Sequence, residues 1–276
     1  MANKYVLGID IGGSTTKIVG FDENKNLVAP MFVHAEDQLT SIYGAFGKFT
    51  AENHIDLSQI KKIMLTGVGA TYITSPLYNI ECETLVEFPC VGRGGLYLSG
   101  LDEAIVVSMG TGTAVVHADK NGNFEYLGGT GVGGGTLIGL SKKMLGTDNV
   151  ANIVELASQG DISKVDLRVS DISRKDIHPG LAPDLTASNF GKLSDLATPS
   201  DIALGLFNMI FESVAMIAAF AARRYGVKDI VLTGNMTTFP QAKQVFGNMN
   251  NLFEVNYIIP ENSRFGTVIG AALSLL

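Results

Sequence analysis

A carboxylate, three hydroxyls and an amine stand within eight residues near the N-terminus, in Asp10, Ile11, Gly12, Gly13, Ser14, Thr15, Thr16 and Lys17. A glycine turn after a strand exposes consecutive backbone N–H groups, and such a turn suits an anionic phosphate. Lys17 adds positive charge, and Asp10 at the strand end is placed to hold Mg²⁺, directly or through water. A second turn, Gly110, Thr111, Gly112 and Thr113, offers the same chemistry. A third glycine lies at a strand end in Leu232-Thr233-Gly234-Asn235, where close backbone approach to an adenosine requires a missing side chain. Singly, each is an ordinary turn. Together, in this order, they read as a two-lobed nucleotide clamp. No G-x-x-x-x-G-K-[ST] run occurs, which excludes a P-loop. Gly129 to Gly134 formally fits G-x-G-x-x-G, but it follows hairpin strands rather than the parallel unit a dinucleotide fold needs.

The elements that must carry these turns recur. Strands at 4–11, 15–21 and 27–33 surround the first turn, and strands at 103–109, 113–118 and 124–127 surround the second. Asp22-Glu23-Asn24-Lys25-Asn26 and Asp119-Lys120-Asn121-Gly122-Asn123 occupy matching places, 97 residues apart. The shared order points to an internal duplication. Helices are expected over 37–53, from Pro89 to Gly100, over 133–145 and 149–159, and over 200–225. Further strands are expected at 61–67, 228–233 and 254–259, and the chain ends in a glycine- and alanine-rich helix. Residues 160–199 read as an irregular excursion.

Composition narrows the class. Apolar residues make up 46% and charged residues 17%, which excludes intrinsic disorder. The net charge of −7 argues against nucleic acid as a partner. Glycine, at 32 of 276 residues, is concentrated in the turns. Cys82 and Cys90 are too few for a secreted disulfide scaffold and are expected as separate buried thiols. The N-terminus shows no signal-peptide h-region, and Glu212 interrupts the most apolar stretch, 202–222. A cytoplasmic protein with no membrane role is expected.

GIDIGGSTTK, SMGTGTA and VLTGN are similar to the phosphate-1, phosphate-2 and adenosine motifs of the actin-like ATPase superfamily of sugar kinases and heat-shock ATPases. With LVEFPCVGRG, GGTGVGGGTLIGL, DLRVSDI, DLTASNFG and FGTVIGAAL, the chain resembles the type II pantothenate kinases over essentially its whole length. The resemblance implies an α/β actin-like ATPase fold with two related RNase H-like lobes, mixed sheets and a nucleotide cleft between them. It places the lobes at 1–100 and 101–276, with the last helix packing back on the first lobe. It implies a homodimer and transfer of a phosphoryl group from Mg²⁺·ATP to the primary hydroxyl of pantothenate, the first step of coenzyme A synthesis. Glu87, in the VEF motif, matches the family's catalytic base. Asp10 to Lys17, Gly110 to Gly112, Gly133, Gly134, Gly135, Thr136, Leu137, Ile138, Gly234 and Asn235 would then surround the nucleotide. Glu87, Thr111, Thr113, Tyr126, Gly128 and Asn189 would surround the acceptor.

One position departs from the family. An arginine usually precedes the Gly-Gly pair leading into the GGG helix and contacts the acid substrate, whereas this chain has Tyr126. A phenol carries no charge at pH 7 and cannot replace a guanidinium fork. Losing a charged partner weakens binding by about 1.5–3 kcal/mol. Arg93 is the candidate to compensate. Two alternatives therefore stay open: a kinase of another small hydroxyl compound, and a non-catalytic nucleotide or coenzyme A sensor.

Overall fold

Alternating side chains explain the layering of the first half. In β1 (Tyr5–Ile11), Leu7, Ile9 and Ile11 point to one face and Val6 to the other. In β2 (Thr15–Phe21), Ile18 shares the first face, and Val19 and Phe21 share the second. Both faces are apolar because both are covered, as in other sheets flanked by helices. The remaining strands are β3 (Leu27–His34), β4 (Ile60–Thr66) and β5 (Cys82–Thr84), and the sheet order is β3-β2-β1-β4-β5. The first three strands are antiparallel neighbours, whereas β4 and β5 run parallel to β1. Helix α1 (Gln38–Glu52) covers the outer face with Ile42, Ala45, Phe46 and Phe49. The computed structural model describes residues 4–13, 15–34, 37–173 and 185–276.

Helix α2 (Glu87–Ser99) leads to a second sheet. Its start is a correction: Pro89 is the third helical residue, not the first. A first-turn proline is tolerated because its missing N–H has no intrahelical partner to lose. Strands β6 (Glu103–Met109), β7 (Thr113–Asp119) and β8 (Phe124–Thr130) repeat the antiparallel meander, with β8 three residues longer than expected. Helices α3 (Gly134–Leu145) and α4 (Val150–Ser158) follow. The excursion then holds a short ribbon, β9 (Leu167–Arg168) with β10 (Thr186–Ser188), and one helical turn, α5 (Val169–Ile172).

Helix α6 (Pro199–Tyr225) opens with a capping box between Thr198 and Asp201 and ends at Gly226 in the left-handed conformation. It is long and apolar enough to cross a membrane by length and composition. Here its Phe207, Ile210, Phe211 and Val214 pack on the outer face of the second sheet, against Ile105, Val107, Ile230 and Leu232, while Ile217 and Phe220 stay exposed. Strands β11 (Asp229–Thr233) and β12 (Asn256–Ile258), with α7 (Pro240–Phe253) between them, complete the sheet order β12-β11-β6-β7-β8. The last helix, α8 (Gly266–Ala272), is shorter than expected and is flanked by 3₁₀ turns.

The duplication holds down to single hydrogen bonds. Asp22 Oδ1 accepts from the Asn24 and Asn26 N–H groups, and Oδ2 from Asn26 Nδ2, all at 2.9 Å. Asp119 makes the same three bonds to Asn121 and Asn123, at 2.7, 3.2 and 2.7 Å. Lys25 and Gly122, also 97 apart, both take positive φ.

Between the sheets lie two helices. α2 packs on the inner face of the second sheet through Val91, Ala104, Val106 and Val231. α8 packs on the inner face of the first through Val268, Ile269, Ala272, Val19 and Phe21. The helices touch backbone to backbone: a Cβ on Gly94 would lie 1.8 Å from Gly266 O, and one on Gly270 would lie 1.8 Å from Cys90 O. Cys82 and Cys90 are free thiols, and burial pushes Cys90 up to about 11, which leaves it inert.

Candidate active site

The two hairpin turns face one cleft of about 490 Å³ between the sheets. In the first turn the Gly12 N–H donates to Thr15 O at 2.9 Å, and in the second the Gly110 N–H donates to Gly112 O at 2.9 Å. Behind each turn a parallel strand ends in Leu-Thr-Gly: Gly67 follows β4 and Gly234 follows β11. Their φ values are +85° and +94°. A Cβ on Gly67 would lie 2.6 Å from Asp10 Oδ1, and one on Gly234 would lie 2.4 Å from Met109 O. Only glycine lets these strand ends close on the turns.

Strand alternation decides which turn residues reach the cleft. Asp10 and Lys17 share the inner face with Val6, Val19 and Phe21. They are direct cross-strand partners and form an ion pair at 3.8 Å. Ile11 and Thr16 fall on the outer face. Ile11 is fully buried, and Thr16 Oγ1 pairs with Ser41 Oγ of α1 at 2.8 Å. Gly12, Gly13 and Thr15 line the cleft, while Ser14 lies outside the described residues. Gly110, Thr111, Gly112, Thr113, Gly234 and Asn235 also line it.

Three charged groups converge here. Burial raises the Asp10 carboxyl above its ordinary value, and Lys17 opposes the shift. Burial lowers the Lys17 amine; Asp10 opposes this, Arg264 adds to it, and Glu87 opposes it. Glu87 is the first residue of α2, half-buried at the cleft wall. Burial raises it first and the Asp10 charge second, against Lys17. A carboxylate raised in this way is a better proton acceptor near neutral pH. Beside it, Phe88 stacks on Tyr126 with ring centroids 3.8 Å apart and planes 10° from parallel.

Other expected site residues lie elsewhere. Gly133 to Ile138 stand behind the second turn. The Gly134 and Gly135 N–H groups donate to Gly110 O and Thr111 O, both at 2.9 Å, so the start of α3 braces the turn and does not line the cleft. Leu137 is buried, and Ile138 is exposed. Gly128 sits in β8 and its neighbour Gly129 lines the cleft instead. Asn189 is drawn into a separate polar cluster, where its Nδ2 donates to Glu212 Oε2 at 2.8 Å and to Asp166 Oδ2 at 3.4 Å. Arg93 does not compensate for Tyr126. It donates to Gly270 O at 3.2 Å and lies 5.0 Å from the centre of the Phe124 ring. Gly67, Val68 and Ser108 also line the cleft and were not anticipated. The repeated Leu-Thr-Gly was the signal for the first two, and Ser108 is the second-sheet counterpart of Asp10 in the β6–β7 hairpin.

Among the described residues no group of three His, Cys, Asp or Glu side chains could hold a metal. Asp10 alone fits the pattern in which Mg²⁺ takes one carboxylate together with substrate phosphates.

Residues 103–250 match the Fumble family, and residues 7–160 match the BadF/BadG/BcrA/BcrD ATPase family. The type II pantothenate kinase of Staphylococcus aureus (strain USA300) is 30% identical over 238 residues, 83% of this chain and 84% of that one. Among solved structures, the activator of 2-hydroxyisocaproyl-CoA dehydratase from Clostridium difficile with bound ADPNP aligns with a TM-score of 0.66 at 20% identity, over 98% of this chain and 93% of that one. A ROK family glucokinase from Streptomyces griseus in complex with glucose and AMPPNP aligns with a TM-score of 0.59 at 13% identity, over 98% of both chains. The fold is therefore the two-lobed actin-like ATPase and sugar-kinase fold.

Proposed function

The chain belongs to the type II pantothenate kinase family, and on that footing we propose that it transfers the γ-phosphoryl group of ATP to the primary hydroxyl of pantothenate. The observation that carries this reading is the convergence of Asp10, Lys17 and Glu87 on a cleft walled by two glycine turns. Phosphoryl transfer needs position and charge neutralisation more than covalent chemistry. The turn amides and Lys17 hold the phosphate oxygens, and Gly234 leaves room for the nucleoside. Asp10 would hold Mg²⁺ with the phosphates, and the ion would neutralise charge developing on them. Glu87 accepts the proton of the acceptor hydroxyl as its oxygen bonds to phosphorus, and ADP leaves.

The test is ADP release by purified protein with Mg²⁺·ATP, with and without pantothenate, and with the product identified by mass. Pantothenate-dependent ADP and a phosphorylated pantothenate support the reading. ATP binding with no pantothenate-dependent turnover overturns it.

A further inference from the structure

We propose that Arg264 is a second cation for the polyphosphate of the bound nucleotide, meeting it from the side of the second lobe while Lys17 meets it from the first. The inference rests on the nucleotide half of the kinase reading above and assigns a residue that reading does not use.

Arg264 stands in the 3₁₀ turn Ser263–Phe265 that leads into α8. This turn is fastened to the strand-end glycine of the cleft. The Gly234 N–H donates to Ser263 O at 3.0 Å, and the Ser263 and Thr237 hydroxyls pair at 2.7 Å. Thr267, one turn of helix further on, lines the cleft itself. The backbone of Arg264 is therefore held at the cleft margin by the segment that leaves room for the nucleoside.

The side chain reaches from one lobe to the other. Its Nη2 donates to Thr238 Oγ1 at 3.2 Å, in the 3₁₀ turn Asn235–Thr238 after Gly234. Its guanidinium carbon lies 4.4 Å from the centre of the Phe32 ring in β3. Phe32 is the cross-strand partner of Lys17, and Lys17 is the cross-strand partner of Asp10. The guanidinium thus rests one strand away from the phosphate-binding amine. Its charge is felt there, since it adds to the lowering of the Lys17 amine.

The charge is unmatched where it rests. Arg264 forms no ion pair among the described residues, and its Nε is buried with no hydrogen-bond partner. The hydroxyl and the ring face that it does touch are neutral. Asp10, the nearest carboxylate to Lys17, is already paired with that amine at 3.8 Å. A buried N–H without an acceptor and a neighbouring like charge are both unfavourable until an anion arrives. Nucleotide phosphates bring negative charge and several acceptor oxygens, which a guanidinium binds through paired N–H groups. The side chain is anchored by one hydroxyl, so it can turn to the phosphates without breaking an ion pair.

The experiment is calorimetric titration of the purified protein with ADP and Mg²⁺, at about 50 and 500 mM NaCl, in the wild type, Arg264→Gln and Arg264→Lys, with folding checked by circular dichroism. Arg264→Gln is expected to weaken ADP binding by about 10–100-fold at the lower salt, the loss that removal of a charged partner gives. Its affinity should also depend less on salt than that of the wild type, because one charge contact is gone. Arg264→Lys should recover part of the loss and keep the wild-type salt dependence. Wild-type affinity in a folded Arg264→Gln protein overturns the inference. So does a loss of affinity with the salt dependence unchanged, which is the mark of a residue that only packs. If Arg264→Gln does not fold, Arg264→Lys decides: a loss of about threefold or more is expected, because an ammonium lacks the paired contacts, and wild-type affinity overturns the inference. The titration needs no acceptor, so failure of the pantothenate reading leaves it intact. Failure of the wild type to bind ADP overturns the inference together with the nucleotide half of that reading.

Discussion

Replacing Glu87 by Gln tests the chemistry without disturbing the framework. Glu87 opens α2, where an acid in the first turn contributes about 0.3–1 kcal/mol through the helix dipole. Glutamine loses that contribution. It also removes a half-buried charge that sits against the Asp10 carboxylate, which works in the opposite direction. The two effects offset, so the melting temperature at pH 7 should move by only a few degrees, about what 1 kcal/mol produces. Turnover should respond far more. Loss of a positioned general base costs about 10²–10⁴ in kcat, or roughly 3–5 kcal/mol of barrier. The pH profile supplies a second readout. Burial and the Asp10 charge hold the Glu87 carboxyl above its ordinary value of 4.5. The base works ionised, so wild-type kcat/KM should rise with pH through that raised value, with an acid limb lying above pH 4.5. The limb should vanish in Glu87→Gln, while the KM for ATP stays near the wild-type value. ADP release between about pH 5 and 8 measures both effects. A variant within tenfold of wild type, or an acid limb that persists, refutes the assignment of Glu87 as base.

Two further substitutions probe the framework. Gly234→Ala puts a methyl 2.4 Å from Met109 O at φ +94°, so it should destabilise by about 2 kcal/mol or more and raise the KM for ATP; an unchanged urea midpoint would contradict this. Asp201 is buried, which alone would raise its carboxyl. Bonds from the Thr198 N–H, the Asp161 N–H and the Thr198 hydroxyl outweigh burial and hold it at about 2. That stabilisation is present above the ordinary value of 3.8 and is lost as pH falls through about 2. Asp201→Asn should therefore lower the urea-derived stability at pH 7 by about 2 kcal/mol, with the gap to wild type closing towards pH 2; a constant gap would contradict the account.

The meanders were legible because their determinants are local. Asp22 and Asp119 each fold their own turn through bonds within four residues, and period-two burial is written directly in Leu7, Ile9 and Ile11. The capping box at Thr198 is equally local and gave the start of α6 to within a residue. Asp10 at its strand end was legible too, whereas its pairing with Lys17 is set by the hairpin register. What escaped the sequence depends on contacts between distant segments. The Gly134 and Gly135 amides resemble a free phosphate cradle until β8 brings them against Gly110 and Thr111. Arg93 looks available for a substrate until α8 presents the Gly270 carbonyl 177 residues away. Asn189 leaves the cleft because Glu212, on α6, captures its amide. Helix α2 starts at Glu87, two residues before the expected Pro89, because a first-turn proline does not mark the first helical position.

The exchange of inner helices bears on how the chain folds. The first half contributes α2 to the second sheet, and the last helix returns to the first sheet. Neither half can therefore cover its own inner face, and an isolated N-terminal fragment would leave Val6, Val19, Phe21 and Met64 open to water. The halves look like tandem copies yet assemble in the manner of an intramolecular domain swap. Cooperative unfolding as one unit, and failure of either copy to persist alone, follow from that reciprocity. The inner face of the first sheet stays uncovered during synthesis until α8, more than 180 residues after β5, has been made.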